Sequence, residues 1–87
     1  MTAPITIYLT GWCPYCQRAK HLLTTKNLAF KEIDVDAGPE IRDDMIRKSG
    51  RRTVPQIFIG EQHVGGCDDL FALDASGELD RLTQGAW

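Results

Sequence analysis

The stretch Thr10-Gly11-Trp12-Cys13-Pro14-Tyr15-Cys16-Gln17-Arg18-Ala19-Lys20 decides the reading of this chain. The apolar run Ile5 to Leu9 leads into it, and an amphipathic pattern leaves it. Two cysteines separated by two residues at such a strand-to-helix junction have the form of a redox-active dithiol. With a helix starting at about Cys13 or Pro14, Cys13 lies beside backbone N–H groups that lack intrahelical partners. Those donors and the helix dipole stabilise a thiolate there. Pro14 suits an early helical position, because its missing N–H would be unpaired anyway. Cys16 follows about one turn later, so its sulfur can return to the face of Cys13. The spacing therefore predicts a first cysteine that attacks and a second that resolves.

Outward from this junction, Ile5 to Leu9 is rich in β-branched and aromatic residues and reads as a strand, central and covered on both faces. A helix is expected over Pro14 to Thr25, with Ala19, Leu22 and Leu23 inward, Cys16 near them, and Arg18, Lys20 and His21 in solvent. Asn27 closes it, and Leu28 to Asp34 reads as a second strand, parallel to the first through a right-handed crossover. Ala37-Gly38-Pro39 breaks the chain. A second helix follows over Glu40 to Lys48, with Ile41, Met45 and Ile46 buried and Gly50 as its stop. From Thr53 a strand with Val54, Ile57, Phe58 and Ile59 turns at Gly60-Glu61 and returns over Gln62 to Gly65, an antiparallel hairpin. Gly65-Gly66 leaves the backbone free to turn or approach a ligand. A third helix covers Cys67 to Ala75, with Leu70, Leu73 and one side of Phe71 inward and Asp68 and Asp69 at its N-terminal end. Gly77 ends it, and Glu78 to Leu82 adds one more turn before a loose tail. The order is β-α-β-α-β-β-α, an α/β chain with a four-stranded mixed sheet flanked by helices.

Length and composition bound the function. Eighty-seven residues make a single domain, 1–87, which buries only about 60–65% of its unfolded surface. Hydrophobic residues at 43% and charged residues at 25% place it among ordinary globular proteins. A formal charge of -2 removes the electrostatic case for nucleic acid or an anionic membrane as partner. No run approaches the ~18 apolar residues of a membrane span. Met1-Thr2-Ala3-Pro4 has neither the basic start nor the apolar region of a signal peptide, so the expected location is cytoplasmic, with a removed targeting segment as the alternative. Three cysteines in a reducing compartment argue against a structural disulfide framework.

A lone C-x-x-C leaves several chemistries open: redox, half a zinc site, an iron–sulfur ligand pair, or an inert core pair. Zinc needs four ligands. The available complement is Cys67, His21 and His63, of which His21 points away from the cysteine face and none stands in a finger spacing. Thr53-Val54-Pro55 favours the redox reading. Proline forfeits a ladder hydrogen bond in a strand. A cis Val54–Pro55 bond would end the strand against the cysteines and bare the backbone of Val54 for an added substrate strand. The alternative is a plain edge-strand proline.

Three blocks together, Cys13-Pro14-Tyr15-Cys16, Thr53-Val54-Pro55-Gln56-Ile57-Phe58-Ile59 and Gly65-Gly66-Cys67-Asp68-Asp69-Leu70, resemble the signature blocks of the dithiol glutaredoxins, in the spacing of the small bacterial members. The likeness spans essentially the whole chain. It implies a thioredoxin-like fold and glutathione as co-substrate, with no resident metal. Carried onto this chain, Cys13 is the nucleophile and Cys16 the resolving thiol. Val54, before a cis Pro55, would pair through its backbone with the cysteinyl part of glutathione. Gly66, Cys67 and Asp68 would receive the γ-glutamyl end, and Tyr15, Arg52, Thr53 and Gln56 would line or flank the groove. The chemistry of the ligand agrees: two carboxylates and one ammonium call for N–H or cationic groups and one acid, which a helix N-terminus near Gly66-Cys67-Asp68 supplies. Asp68 also reads as a helix cap. Arg51 and Arg52 read either as a solvated loop or as partners of the glycine carboxylate.

There is one departure. Many relatives carry a lysine three residues before the nucleophile, where this chain has Thr10. A hydroxyl donates a hydrogen bond and supplies no charge. The expectation is that the helix terminus carries most of the thiolate stabilisation and that glutathione affinity rests on Arg51 or Arg52. Trp12 reads either as a docking platform for protein substrates or as core filler. Cys67 reads as a small buried filler and His63 as a hairpin residue rather than a base. The expected activity is glutathione-dependent reduction of protein disulfides and glutathionylated thiols by a monomer, with ribonucleotide reductase among the candidate clients. The alternatives are a donor reduced by thioredoxin reductase, and a [2Fe-2S] protein that holds its cluster between two subunits through Cys13 and glutathione.

Overall fold

The structure is a computed structural model that describes residues 4–84. Strand β1 (Ile5–Leu9) sends Ile5, Ile7 and Leu9 to one face of the sheet and Tyr8 to the other, as the two-residue period of a strand dictates. It lies between β2 (Lys31–Asp34) and β3 (Gln56–Ile59), and β4 (Gln62–Gly65) forms the far edge: the order is β2-β1-β3-β4. β2 runs parallel to β1, while β3 and β4 are antiparallel to their neighbours. The pairing Ile7↔Ile57 puts two fully buried isoleucines at the centre of the sheet.

Helices α1 (Pro14–Thr25), α3 (Cys67–Ala75) and α4 (Glu78–Gln84) cover one face. There Ala19, Leu23, Leu70 and Leu79 close over Ile5, Ile7, Leu9, Ile57 and Ile59, with Cys13, Cys16 and Cys67 in the same cluster. Helix α2 (Pro39–Ser49) covers the other face, where Met45 packs with Tyr8, Val35 and Phe58. Tyr8 and Phe58 meet edge-on at 5.8 Å between ring centroids. Full burial of a side chain such as Met45 stabilises the fold by about 1.5–3 kcal/mol, so even this thin second layer holds α2 firmly.

Where boundaries differ from the sequence expectation, backbone hydrogen bonding gives the reason. β2 begins at Lys31 rather than Leu28, because residues 26–28 spend their N–H groups closing α1 on Leu22, Thr24 and Leu23. Asn27 takes a left-handed φ of 59° in that closure. β3 begins at Gln56 rather than Thr53, since Pro55 has no N–H for the ladder. α2 starts one residue earlier, with Pro39 at its first turn, and ends on Gly50 at φ 74°. α4 runs to Gln84 and is anchored rather than marginal: Leu79 and Thr83 are buried, and Lys26 bridges Asp74 and Asp80 at 2.7 and 3.0 Å. The loose tail expected after Leu82 is thus helical at residues 83 and 84, and the rest of it, 85–87, lies outside the described residues. Among the described residues no helix is long and apolar enough to cross a membrane.

Candidate active site

The fold delivers three chain segments to one end of the α1/α3 face. β1 runs out at Thr10, and Cys13 occupies the N-cap of α1 with Pro14 as the first helical residue. The Cys13 N–H donates to the Thr10 carbonyl at 3.5 Å, which closes the turn. Cys16 returns on the inner side of α1 and is fully buried. The second segment is the approach to β3, whose Val54–Pro55 bond is cis. The third is the start of α3 after Gly65 and Gly66.

A cleft of about 230 Å³ lies between the second and third segments, lined by Tyr15, Arg51, Thr53, Val54, Pro55, Gly66, Cys67, Asp68 and Asp69. The Cys13 thiol adjoins it through Val54, whose carbonyl it faces at 3.9 Å. Larger open hollows on the molecule contain none of the cysteines. Of the residues singled out in the sequence, Tyr15, Thr53, Val54, Pro55, Gly66, Cys67 and Asp68 come together on this cleft. Arg52 does not line it: its carbonyl accepts from Arg42 at 3.4 Å. Gln56 is fully buried beneath the loop, where its amide donates to the Thr53 carbonyl at 3.0 Å and accepts from His63 Nε2 at 2.7 Å. It flanks the cleft by fixing Thr53 rather than by lining it.

The α3 N-terminus corrects one expectation. The acidic residue that caps the helix is Asp69, which accepts from the Gly66 N–H at 2.9 Å and pairs with Arg51 at 3.1 Å. The Gly66 N–H first, and the Arg51 guanidinium second, hold the Asp69 carboxyl below its ordinary range. Asp68 is exposed and makes no hydrogen bond or ion pair among the described residues, so its carboxylate faces the cleft uncommitted.

The cysteines stand in different surroundings. All three are free and buried. Burial pushes the Cys16 thiol up to about 12; the Thr10 backbone and hydroxyl oppose the rise, and contact with Cys13 adds to it. Burial also raises the Cys67 thiol. His63 is held below the usual imidazole range, by burial first and by Arg51 second. His21 is exposed in an open hollow beside Phe71, away from the cysteines. Among the described residues no group of three His, Cys, Asp or Glu side chains gathers as a metal ion would require.

Trp12 is 75% exposed, which rules out the core-filler reading. Its indole N–H donates to Asp36 at 3.3 Å, Asp36 accepts from Arg42 at 3.2 Å, and Arg42 reaches the Arg52 carbonyl. This chain of contacts ties the tryptophan to the loop that carries Val54. Sequence reasoning missed Asp36 and Arg42, and no local pattern marks them, since the Trp12–Asp36 contact spans 24 residues.

Comparison with known proteins agrees with this arrangement. The sequence model of the glutaredoxin family matches residues 5–64. A glutaredoxin of Pseudomonas aeruginosa is 60% identical over 79 residues, covering 91% of this chain and 94% of its own length. The solution structure of a glutaredoxin from Brucella melitensis superposes with a TM-score of 0.83 at 53% identity, over 99% of this chain and 95% of that one. The crystal structure of a buckwheat glutaredoxin–glutathione complex superposes with a TM-score of 0.87 at 29% identity, over 94% and 77%. The four-stranded mixed sheet with its flanking helices is thus a thioredoxin-like fold, and the chain belongs to the glutaredoxin family of thiol–disulfide oxidoreductases.

Proposed function

We propose that this protein reduces protein disulfides and glutathionylated thiols at the expense of glutathione, with Cys13 as nucleophile and Cys16 as resolving thiol. The observation that carries the reading is the juxtaposition of the Cys13 thiol, 3.9 Å from the Val54 carbonyl, with a cleft that ends on the α3 N-terminus. Negative charge on the Cys13 sulfur falls at the start of α1, where unpaired N–H groups favour it. The buried Cys16 stays a thiol until the mixed disulfide forms. Attack by Cys13 on a protein disulfide gives a mixed disulfide, and Cys16 then displaces the substrate thiol and closes the Cys13–Cys16 bond. Glutathione reduces that bond through a Cys13–glutathione adduct, which a second glutathione clears.

In this reading glutathione lies along the cleft as a short added strand. Its cysteinyl backbone pairs with Val54 ahead of Pro55, and its γ-glutamyl carboxylate meets the N–H groups of Gly66, Cys67 and Asp68. The uncommitted Asp68 carboxylate takes the ammonium. Arg51, on the cleft wall, is better placed than Arg52 for the glycine carboxylate, and Tyr15 and Thr53 complete the walls. The glutathione bound by the buckwheat relative supports this ligand class. The protein works as a single-domain cytoplasmic monomer without a resident metal, on clients such as ribonucleotide reductase, and the exposed Trp12 supports docking of protein substrates.

Steady-state reduction of a glutathionylated peptide, coupled to glutathione reductase, tests the reading in wild type and Cys16→Ser. Turnover retained without Cys16 and abolished by Cys13→Ser is the expected result. Negligible turnover in the wild type as well would refute glutathione as the reductant and turn attention to thioredoxin reductase.

A further inference from the structure

Gln56 opens β3 and is fully buried, although its amide has donors at one end and an acceptor at the other. It pairs with Tyr8 of β1, which places its side chain on the α2 face of the sheet. His63 of β4 stands opposite Phe58 on that face, a diagonal neighbour of Gln56, with its ring 5.0 Å from that of Phe58. Gln56 Nε2 donates to the Thr53 carbonyl at 3.0 Å and to Thr53 Oγ1 at 3.3 Å, while Gln56 Oε1 meets His63 Nε2 at 2.7 Å. One atom sets the direction of this relay. A carbonyl oxygen only accepts, so the Thr53 carbonyl requires the nitrogen end of the Gln56 amide. The oxygen end then faces His63, and the proton between them must sit on Nε2. Neutral His63 is therefore the Nε2–H tautomer.

The Thr53 carbonyl belongs to the peptide unit that carries the Val54 N–H. That unit is trans, so its N–H points opposite to its C=O. Turning the carbonyl in onto a buried amide turns the N–H out, and among the described residues that N–H has no acceptor. Val54 lines the cleft. We infer that Gln56 and His63 are a positioning pair for glutathione: His63 sets the direction of the Gln56 amide, the amide holds the Thr53–Val54 peptide plane, and the plane presents the Val54 N–H to the cysteinyl carbonyl of the ligand. This role rests on the reading that lays glutathione along Val54. Neither side chain touches the ligand. A disulfide that brings no peptide carbonyl to Val54 gains nothing from the pair, so the pair acts on discrimination between substrates rather than on the reactivity of Cys13.

The test compares two peptides of one sequence, one carrying glutathione on its cysteine and the other cysteamine, which has no peptide carbonyl. The rate constants for peptide release by the reduced protein give a ratio that favours glutathione in the wild type. Gln56→Met keeps the side-chain length and removes both donors; its ratio should fall about fivefold, the factor for one neutral hydrogen bond. His63→Phe keeps a ring against Phe58 and frees the amide to turn, so its ratio should fall by more than about twofold, within the same range. His63→Gln, whose amide nitrogen can replace Nε2 as donor, should stay within about twofold of wild type. Should Gln56→Met fail to fold, the two His63 variants decide. Wild-type ratios in the folded Gln56→Met and His63→Phe proteins would overturn the inference. So would equal falls of both rate constants, which mark general damage, or an equal loss in the two His63 variants. NMR of the ring nitrogens at about pH 8, above the ordinary imidazole value, should find the His63 proton on Nε2, and a proton on Nδ1 alone would overturn the relay without any substitution. A wild type that releases both peptides equally fast would instead remove the glutathione reading, and the role of the pair with it.

Discussion

Substituting Gly65 by alanine should damage this protein out of proportion to the one carbon added. Gly65 closes β4 at a φ of +124°, a conformation L-residues rarely adopt. An added Cβ would lie 2.3 Å from Asp69 Oδ2, 2.7 Å from its Cγ and 2.9 Å from its Cβ. Because the clash reaches the Asp69 Cβ, swinging the carboxylate does not relieve it, and the whole side chain must leave. Its departure takes away the acceptor of the Gly66 N–H at 2.9 Å and the partner of Arg51 at 3.1 Å. The backbone conformation costs about 1–3 kcal/mol and the lost helix cap about 1 kcal/mol. The Arg51–Asp69 pair is half exposed and adds little. The sum is about 2–4 kcal/mol, and at about 4–8 °C per kcal/mol for a chain of this size the melting temperature should fall on the order of 10–30 °C. Gly66→Ala is the control: its new Cβ would stand 3.5 Å from the Pro55 carbonyl, an ordinary contact, so the cost stays at about 1 kcal/mol or less. The assay is thermal unfolding by circular dichroism, with the KM for glutathione measured on the folded protein, which should rise as the α3 N-terminus shifts. If Gly65→Ala unfolds no lower than Gly66→Ala, the reasoning that ties Gly65 to the Asp69 cap is wrong.

Two further predictions use the same site. Asp68→Asn should raise the KM for glutathione by about tenfold, as expected for a lost hydrogen bond to an ammonium, and shift stability by no more than about 0.5 kcal/mol, because the exposed Asp68 makes no hydrogen bond or ion pair among the described residues; an unchanged KM removes Asp68 from the ammonium site. For His63, burial holds the folded imidazole below its unfolded value of about 6.5, so the unfolded chain binds the proton more readily. Stability is then complete above pH ~6.5 and declines as the pH falls towards the folded pKa. A His63→Gln variant should show a shallower loss of melting temperature between about pH 7.5 and 5.5 than wild type, and parallel curves would exclude His63 as the source.

Much of this site was legible in local sequence because the signals were local. Cys13, Pro14 and Cys16 lie within one helical turn, and helix geometry relates them wherever the helix sits. The hairpin over Gln56–Gly65 and the stop at Gly50 also follow from short-range turn chemistry. The misplaced starts of β2 and β3 came from treating Leu28, Phe30 and Val54 as strand because they are apolar. They do pack against the core, yet their backbones serve a helix closure and a proline loop. Hydrophobicity reports burial, and strand pairing is a separate matter of hydrogen bonding.

By itself the sequence determined the element order, the dithiol at a helix start and the three blocks that converge on one cleft. Each depends on contacts within a few residues or on a pattern repeated along one element. Only the tertiary structure decided which of two adjacent groups does a given job. It placed Arg51 rather than Arg52 on the cleft wall, made Asp69 rather than Asp68 the helix cap, and exposed Trp12 to solvent. It also turned the Thr10 side chain into the protein, where it is fully buried. These choices turn on the direction a side chain takes where elements distant in sequence meet, and that direction is set by packing, which no single segment contains.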